Sequence, residues 1–383
     1  MDFRLSEEQE AFRDTARAFA ADAMAPHAER WDAAKEFPEA TLRAAAALGF
    51  AAIYTAEEHG GSGLGRLDAA LIFEELARAC PSTAAYLSIH NMVAWMVDRF
   101  GDDVQRARFL PRLVTMDAFA SYALTEPGAG SDAASLRTRA VRDGDAYVLD
   151  GTKAFTSGGG RSDLYLVMAR TGGPGPKGVT AFLVEAGTAG LSFGGQEHKM
   201  GWNSQPTCEV RLDGCRVPVG NRLGAEGDGF KIAMAGLDGG RVNIAACSLG
   251  GAASALAQAR AHVGEREQFG RALKDFQTVQ FKLADMATEL EAARLMTWRA
   301  AAALDGAEPE RTLACAMAKR FATDAGFRIC DEALQLFGGY GYIRDYGIER
   351  RLRDLRVHRI LEGTNEIMRL IIARRLLEDA ARV

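Results

Sequence analysis

The sequence predicts a mainly α-helical protein with a central β domain: an N-terminal helical domain over residues 1–118, a middle β domain over 119–229 and a C-terminal helical bundle over 230–383. Three observations carry this reading. Apolar residues recur with a helical period up to about Phe119, and again from Phe230 to the end. Between those points the apolar runs are short, rich in β-branched and aromatic residues, and separated by Gly, Asp and Pro turns. Finally, 383 residues exceed what one simple core holds, so two or three domains are expected.

At the N-terminal end, Ser6 precedes Glu7, Glu8 and Glu10, a helix cap with an acidic first turn, and Phe12, Ala16 and Phe19 then share a face. Segments Leu67–Ala79 and Ala85–Phe100 repeat the amphipathic pattern, with Gly60-Gly-Ser-Gly-Leu-Gly65 as a flexible loop before them. In the middle region Ala146–Leu149, Leu164–Met168, Val179–Val184 and Cys208–Leu212 read as strands. Asp143-Gly-Asp145, Asp150-Gly151, Gly172–Gly178 and Asp213-Gly214 supply the turns. No long helical pattern lies between these strands, so an antiparallel barrel or sandwich is expected and a doubly wound sheet is not. The C-terminal helical pattern breaks at Gly264, at Asp305-Gly306 with Pro309, and at Gly338-Gly-Tyr-Gly341. Those breaks imply four or five helices, enough for a bundle.

Composition narrows the function. The net charge is 46 − 51 = −5, which offers no polybasic footprint for nucleic acid. The uncharged run Ala44–Ala56 is too short to span a bilayer, and the acidic first ten residues resemble neither a secretory signal nor a transit peptide. No membrane partner and a cytoplasmic location are therefore expected. The cysteines at 80, 208, 215, 247, 315 and 330 form no CxxC pair and the histidines no HExxH pattern, so buried free thiols are expected and a metal site is not.

Three stretches point to chemistry. Glu362 stands before Gly363 and Thr364, where a helix bearing Ile367, Leu370, Ile371, Leu376 and Leu377 begins. A short turn there can aim a carboxylate across a cleft; the ordinary alternative is a solvated glutamate that favours the helix dipole. Tyr122-Ala-Leu-Thr-Glu-Pro-Gly-Ala-Gly-Ser-Asp132 occupies the junction of helix and strand. Its glycines allow close approach of a ligand, and Thr125 and Ser131 offer hydroxyls, although a plain Pro/Gly turn has the same composition. Gln335-Leu-Phe-Gly-Gly-Tyr-Gly-Tyr342 reads as a helix C-cap and turn, yet it carries more glycine than a cap needs.

The second and third stretches match the two signature patterns of the acyl-CoA dehydrogenase family, and the helix–β–helix order resembles that family over essentially the whole chain. Four further strings, Lys153–Ser157, Thr171–Gly178, Gly201–Thr207 and Leu237–Ala245, look closest to the branch acting on isobutyryl-CoA. The resemblance implies an antiparallel β-barrel between the two helical domains, and FAD bound without a Rossmann fingerprint. It implies Glu362 as the catalytic base. A minority of relatives place the base on an earlier helix beside the arginine of the motif matched by Asp238-Gly-Gly-Arg241, but that neighbour here is Gly240, which cannot act as one.

By matched position, Tyr122, Leu124, Thr125, Gly130, Ser131, Phe155, Thr156 and Ser157 would flank the isoalloxazine. Phe155 stands where several relatives have Trp, which keeps an aromatic face without an indole donor. Arg266 would meet the pyrophosphate, Phe276 and Gln277 the dinucleotide, and Gln335, Gly338 and Gly339 the dinucleotide of a neighbouring subunit in a homotetramer. Thr364 and Glu366 match the last FAD-contacting positions, Glu366 replacing an amide found in some relatives. Ser131, Asp238, Gly239, Gly240, Arg241 and Arg374 would line the acyl-CoA path. The implied reaction is α,β-dehydrogenation of a short branched acyl-CoA, isobutyryl-CoA to methacrylyl-CoA in valine catabolism, with electrons passed to an electron-transfer flavoprotein. 2-Methylbutyryl-CoA and butyryl-CoA stay open as substrates, as do an acyl-CoA oxidase and a non-catalytic FAD-binding scaffold of the same fold.

Overall fold

The structure, a computed structural model, describes residues 4–380. Helices α1 (Glu7–Phe19), α2 (Ala28–Ala34), α3 (Glu39–Ala47), α4 (Arg66–Ala79), α5 (Pro81–Phe100) and α6 (Asp103–Val114) come first. The Ser6 hydroxyl accepts from the Gln9 amide and the Gln9 side chain returns the bond, so the N-terminal cap is a full capping box.

Strands β1 (Ala120–Ala123), β2 (Arg139–Asp143), β3 (Ala146–Ser157), β4 (Leu164–Arg170), β5 (Val179–Glu185), β6 (Leu191–Phe193), β7 (Thr207–Pro218) and β8 (Arg222–Leu223) form one sheet. Its order is β6-β7-β3-β2-β4-β5-β8, with β1 also on β4. The sheet is mixed, which corrects the expectation of an antiparallel barrel. β1 runs parallel to β4, pairing Ala120 with Leu164, and β2 meets the far end of β4 in parallel at Arg139 and Arg170. The cause is local. The chain leaves β4's side after Ala123, makes the Gly-rich excursion through 124–138, and rejoins the same strand as β2. β1 and β2 therefore lie end to end along one edge of β4, and the chain reaches β4 only after β3, the longer connection that a parallel pair needs; the excursion between β1 and β2 is the stretch that matched a signature.

Helix α7 (Gly229–Glu265) follows, then the short strands β9 (Glu267–Gln268) and β10 (Arg271–Ala272), α8 (Gln277–Asp305), α9 (Arg311–Phe337), α10 (Gly339–Tyr342), α11 (Ile348–Arg356) and α12 (Asn365–Ala380). The breaks fall at the glycines read from sequence. Two uncharged runs are longer than Ala44–Ala56: residues 79–97, from the end of α4 through most of α5, and 242–259 in α7. Of the described helices only α7 is long and apolar enough to suit a bilayer, and 83% of that window is buried inside the protein. Its apolarity thus has an internal use. One apolar cluster joins Ala16, Phe73 and Tyr86 of the early helices to Val242 and Ile244 of α7 and to Ala314 and Ala318 of α9. A second joins α5 and α6 to the sheet and to the start of α7 through Ile232 and Leu237. All six cysteines are free and buried.

Candidate active site

Where β1, the β3 bulge, α5, α7 and the start of α12 converge, a cavity of about 640 Å³ opens. Each element delivers its residues for a local reason. The excursion after β1 brings Tyr122, Leu124, Thr125, Gly130 and Ser131 to the wall. On β3, the register to β7 slips between Lys153 and Thr156, and Phe155 adopts φ 56° within that bulge. A bulge re-aims a side chain; Phe155 is 66% exposed and faces the cavity. The two segments are fixed to each other by the Ala154 amide, which donates to the Thr125 carbonyl at 2.8 Å. Beneath them the fully buried Lys153 ammonium donates to Glu126 Oε1 at 2.7 Å and to the Leu124 carbonyl at 3.0 Å.

Glu362 enters from the opposite side. It sits at φ 53° and Gly363 at φ 86°, so the turn before α12 runs left-handed over two residues. The first of these costs a non-glycine residue about 1 kcal/mol or more and persists only where neighbours hold it. Three groups hold it. Arg241 Nε reaches the Glu362 carbonyl at 3.4 Å, while its Nη1 donates to Asp238 at 2.7 Å. Lys319 Nζ donates to the Gly363 carbonyl at 2.7 Å and to Asn365 Oδ1 at 3.0 Å. The Thr364 hydroxyl caps α12 by accepting from the Ile367 amide at 3.3 Å.

The Glu362 side chain then points into space cleared by Gly240. A Cβ at 240 would overlap the carboxyl itself. Glycine at 240 and glutamate at 362 are thus one steric statement. The residue as a whole is half-buried, but its Oε2 is enclosed and has no hydrogen-bond partner. The enclosure of the carboxyl, not the residue average, governs its ionisation. Burial raises its pKa to about 7, against the opposing charges of Arg241 and Lys319. The Tyr122 hydroxyl on the same wall is likewise buried and unpartnered. Unpaired buried polar atoms are rare and expensive unless something else completes them.

The residues read from sequence divide into two groups. Tyr122, Leu124, Thr125, Gly130, Ser131, Phe155, Ser157, Arg241, Glu362 and Arg374 line the cavity together. Thr156 lies just behind, buried with its hydroxyl unpartnered. Asp238 and Gly239 face inward instead, Asp238 bound by Arg241 and Thr312 and Gly239 packed on Arg66. Glu366 is exposed and pairs with Arg369. Arg266, Phe276, Gln277, Gln335, Gly338 and Gly339 stand apart from the cavity. Arg266 lies over the Tyr340 ring and Phe276 packs edge-on against Phe269, which is 94% exposed.

Several site residues escaped the sequence reading, among them the apolar wall residues Ile89, Met92 and Met234. Trp202 lines the cavity with φ 56°. Its amide donates to Asp354 at 2.6 Å and its indole to His358 Nε2 at 3.1 Å. Burial and the Lys319 charge hold His358 down to about 3, so it is a neutral acceptor. Lys319 escaped as well, since a lysine next to Arg320 within a helix gave no signal.

The cavity has the chemistry of a flavin and thioester site: an aromatic face, hydroxyls beside open glycine backbone, apolar walls from Ile89, Met92, Met234 and Leu237, and one desolvated carboxyl. The comparisons agree with that class. Family models for the N-terminal, middle and C-terminal domains of acyl-CoA dehydrogenases match residues 6–117, 121–215 and 227–377. The chain belongs to the acyl-CoA dehydrogenase family, flavoprotein oxidoreductases that act on CH–CH bonds and carry FAD. Among named relatives it is 56% identical to the mitochondrial isobutyryl-CoA dehydrogenase of Bos taurus, covering 98% of this chain and 90% of that protein. The counterpart in Dictyostelium discoideum is 57% identical with the same coverage. Among solved structures, butyryl-CoA dehydrogenase from Megasphaera elsdenii superposes with a TM-score of 0.96 at 39% identity, covering 98% of this chain and all of that one. PigA with FAD and proline does so at 0.95 and 32%, covering 98% and 99%.

Proposed function

We propose that the protein dehydrogenates isobutyryl-CoA to methacrylyl-CoA, a step of valine catabolism, with Glu362 as the base. The observation that supports this most is the Glu362 carboxyl lining the cavity, with its Oε2 enclosed and unpartnered. A base with a pKa near the working pH is both available and strong enough to remove a weakly acidic α-proton. Bound FAD supplies the hydride acceptor. The protein's own groups do the rest. Phe155, Thr125, Ser131 and the open Gly130 backbone hold the ring system, and the apolar walls exclude water from the proton transfer. In this reading the backbone amide of Glu362 would donate to the thioester oxygen, so that charge developing there meets a fixed dipole. Ser131 and the exposed Arg374 at the rim lie on the route for the CoA moiety. Identity of 56% to named isobutyryl-CoA dehydrogenases supports the branched four-carbon acyl group over its neighbours.

The same reading includes three domains bounded near residues 118 and 229, a cytoplasmic homotetramer, and an electron-transfer flavoprotein as acceptor. Exposed aromatic residues around Arg266 and Phe269 support assembly, with Gln335, Gly338 and Gly339 completing the FAD site of a neighbouring subunit.

The test is anaerobic titration with isobutyryl-, 2-methylbutyryl-, butyryl- and isovaleryl-CoA, following flavin bleaching. Isobutyryl-CoA should bleach fastest. Glu362→Gln should remain yellow and folded and should not bleach; bleaching by that variant would sink the assignment of the base. Rapid peroxide formation in air would replace the flavoprotein acceptor with oxygen.

A further inference from the structure

Among the buried ionisable groups that the reaction as described does not use, Lys319 touches the turn bearing Glu362. Its side chain is fully buried on α9, where lysine almost never sits unless paired. Among the described residues no carboxylate forms an ion pair with it within 4 Å; its bonds go to the Gly363 carbonyl and to Asn365 Oδ1. Asn365 is itself buried and donates to Thr323 at 3.0 Å and Asp324 at 2.9 Å. Asp324 in turn binds Arg359 and Arg369. The turn is therefore pinned from α9 by a chain of bonds that begins at Lys319. A neutral donor would satisfy the Gly363 carbonyl without the expense of burying a charge, so the charge asks for its own explanation.

We propose that Lys319 is a positioning residue for Glu362: its amino group clamps the Gly363 carbonyl to hold the left-handed turn, and in its charged form it places a positive charge beside the carboxyl. The proposal rests on Glu362 being the base. Around the pair stand Arg241 and Cys247 on α7, Tyr54 before α4, Tyr122 on β1, His358 after α11, Asp324 on α9 and Glu366 on α12. Only Arg241 shares Lys319's effect on Glu362, and it is already bound to Asp238. Burial lowers the Lys319 pKa to about 7, with the Glu362 charge opposing. Its positive charge is thus in place on the acid side of neutrality, where the carboxylate most needs it.

Lys319→Met removes both bond and charge; Lys319→Gln keeps a donor for the Gly363 carbonyl and removes the charge. In the FAD-loaded enzyme the acid limb of kcat/KM should move up by about one pH unit in both variants, the scale of one nearby charge at an effective dielectric of about 20. The limiting rate at high pH should fall about tenfold in the Met variant and recover in the Gln variant. A second readout needs no turnover: the carboxyl infrared band that Glu362→Gln removes should titrate with the same upward shift. An unmoved acid limb together with an unmoved infrared midpoint overturns the proposal. So does activity lost only through FAD loss or a lower Tm. Bleaching by Glu362→Gln would instead overturn the base, while the infrared midpoint still reports whether Lys319's charge reaches that carboxyl.

Discussion

At the scale of single residues, the site is organised around one carboxyl and the space reserved for it. Gly240 is the sharpest case, since a methyl group there would occupy the position of Glu362 Oε2. Gly240→Ala should therefore displace the carboxyl by roughly 1 Å and lower kcat/KM by about 100-fold, with FAD content and Tm close to wild type. Steady-state kinetics beside the flavin absorbance ratio would check this, and full activity would mean the carboxyl is not held where the substrate needs it. Legibility at this scale was uneven. Glu362 and the cavity-lining Tyr122, Thr125, Ser131 and Phe155 belong to motifs with fixed local spacing, so sequence could find them. Lys319 and Trp202 act through partners far along the chain, Gly363 and Asp354, and no local pattern marks such a partner.

At the scale of elements, the strands were legible from period and turn chemistry, but the neighbour chosen by β1 was not. That choice depends on β4, some forty residues on, and no hairpin signal announces a parallel pair. The excursion between β1 and β2 is stabilised by a buried pair, Glu126 and Lys153. Glu126 also accepts from the Arg137 and Thr138 amides at 2.6 and 2.9 Å, closing the loop onto the start of β2. Glu126→Ala would strand the buried Lys153 ammonium, a change of about 3–5 kcal/mol. It should lower Tm by several degrees and loosen FAD, because Thr125 and the Ala154 bond lie beside it. Glu126→Met with Lys153→Met should restore part of the Tm, because it removes the stranded charge but leaves the Arg137 and Thr138 amides without their acceptor. Calorimetry of the three proteins would decide; an unchanged Tm in the single variant would show that the loop is held by other means.

For the whole molecule, the exposed aromatic hairpin is the feature a lone chain leaves unexplained. Phe269 is 94% exposed at φ 54°, and Arg271 lies over Phe276 at 3.9 Å. Phe269→Asp should lower the mass seen by light scattering and release FAD on gel filtration, as expected where a second copy covers the patch. Unchanged mass and flavin content would separate the patch from both assembly and cofactor. The helix–strand–helix order was legible along the chain, whereas the sharing of cores was not, because periodicity shows that a face is apolar but not what covers it.

That sharing has a consequence in time. Ala16, Phe73 and Tyr86 complete their packing with Val242, Ala314 and Ala318. A ribosome adding about 5–20 residues per second takes roughly 10–40 s to travel the 200 or so residues from the last early helix to α9. For that interval the early helices are finished as segments yet have nothing to close against. A nascent chain of this protein should therefore bind a holdase chaperone until α9 emerges, and release it soon afterwards.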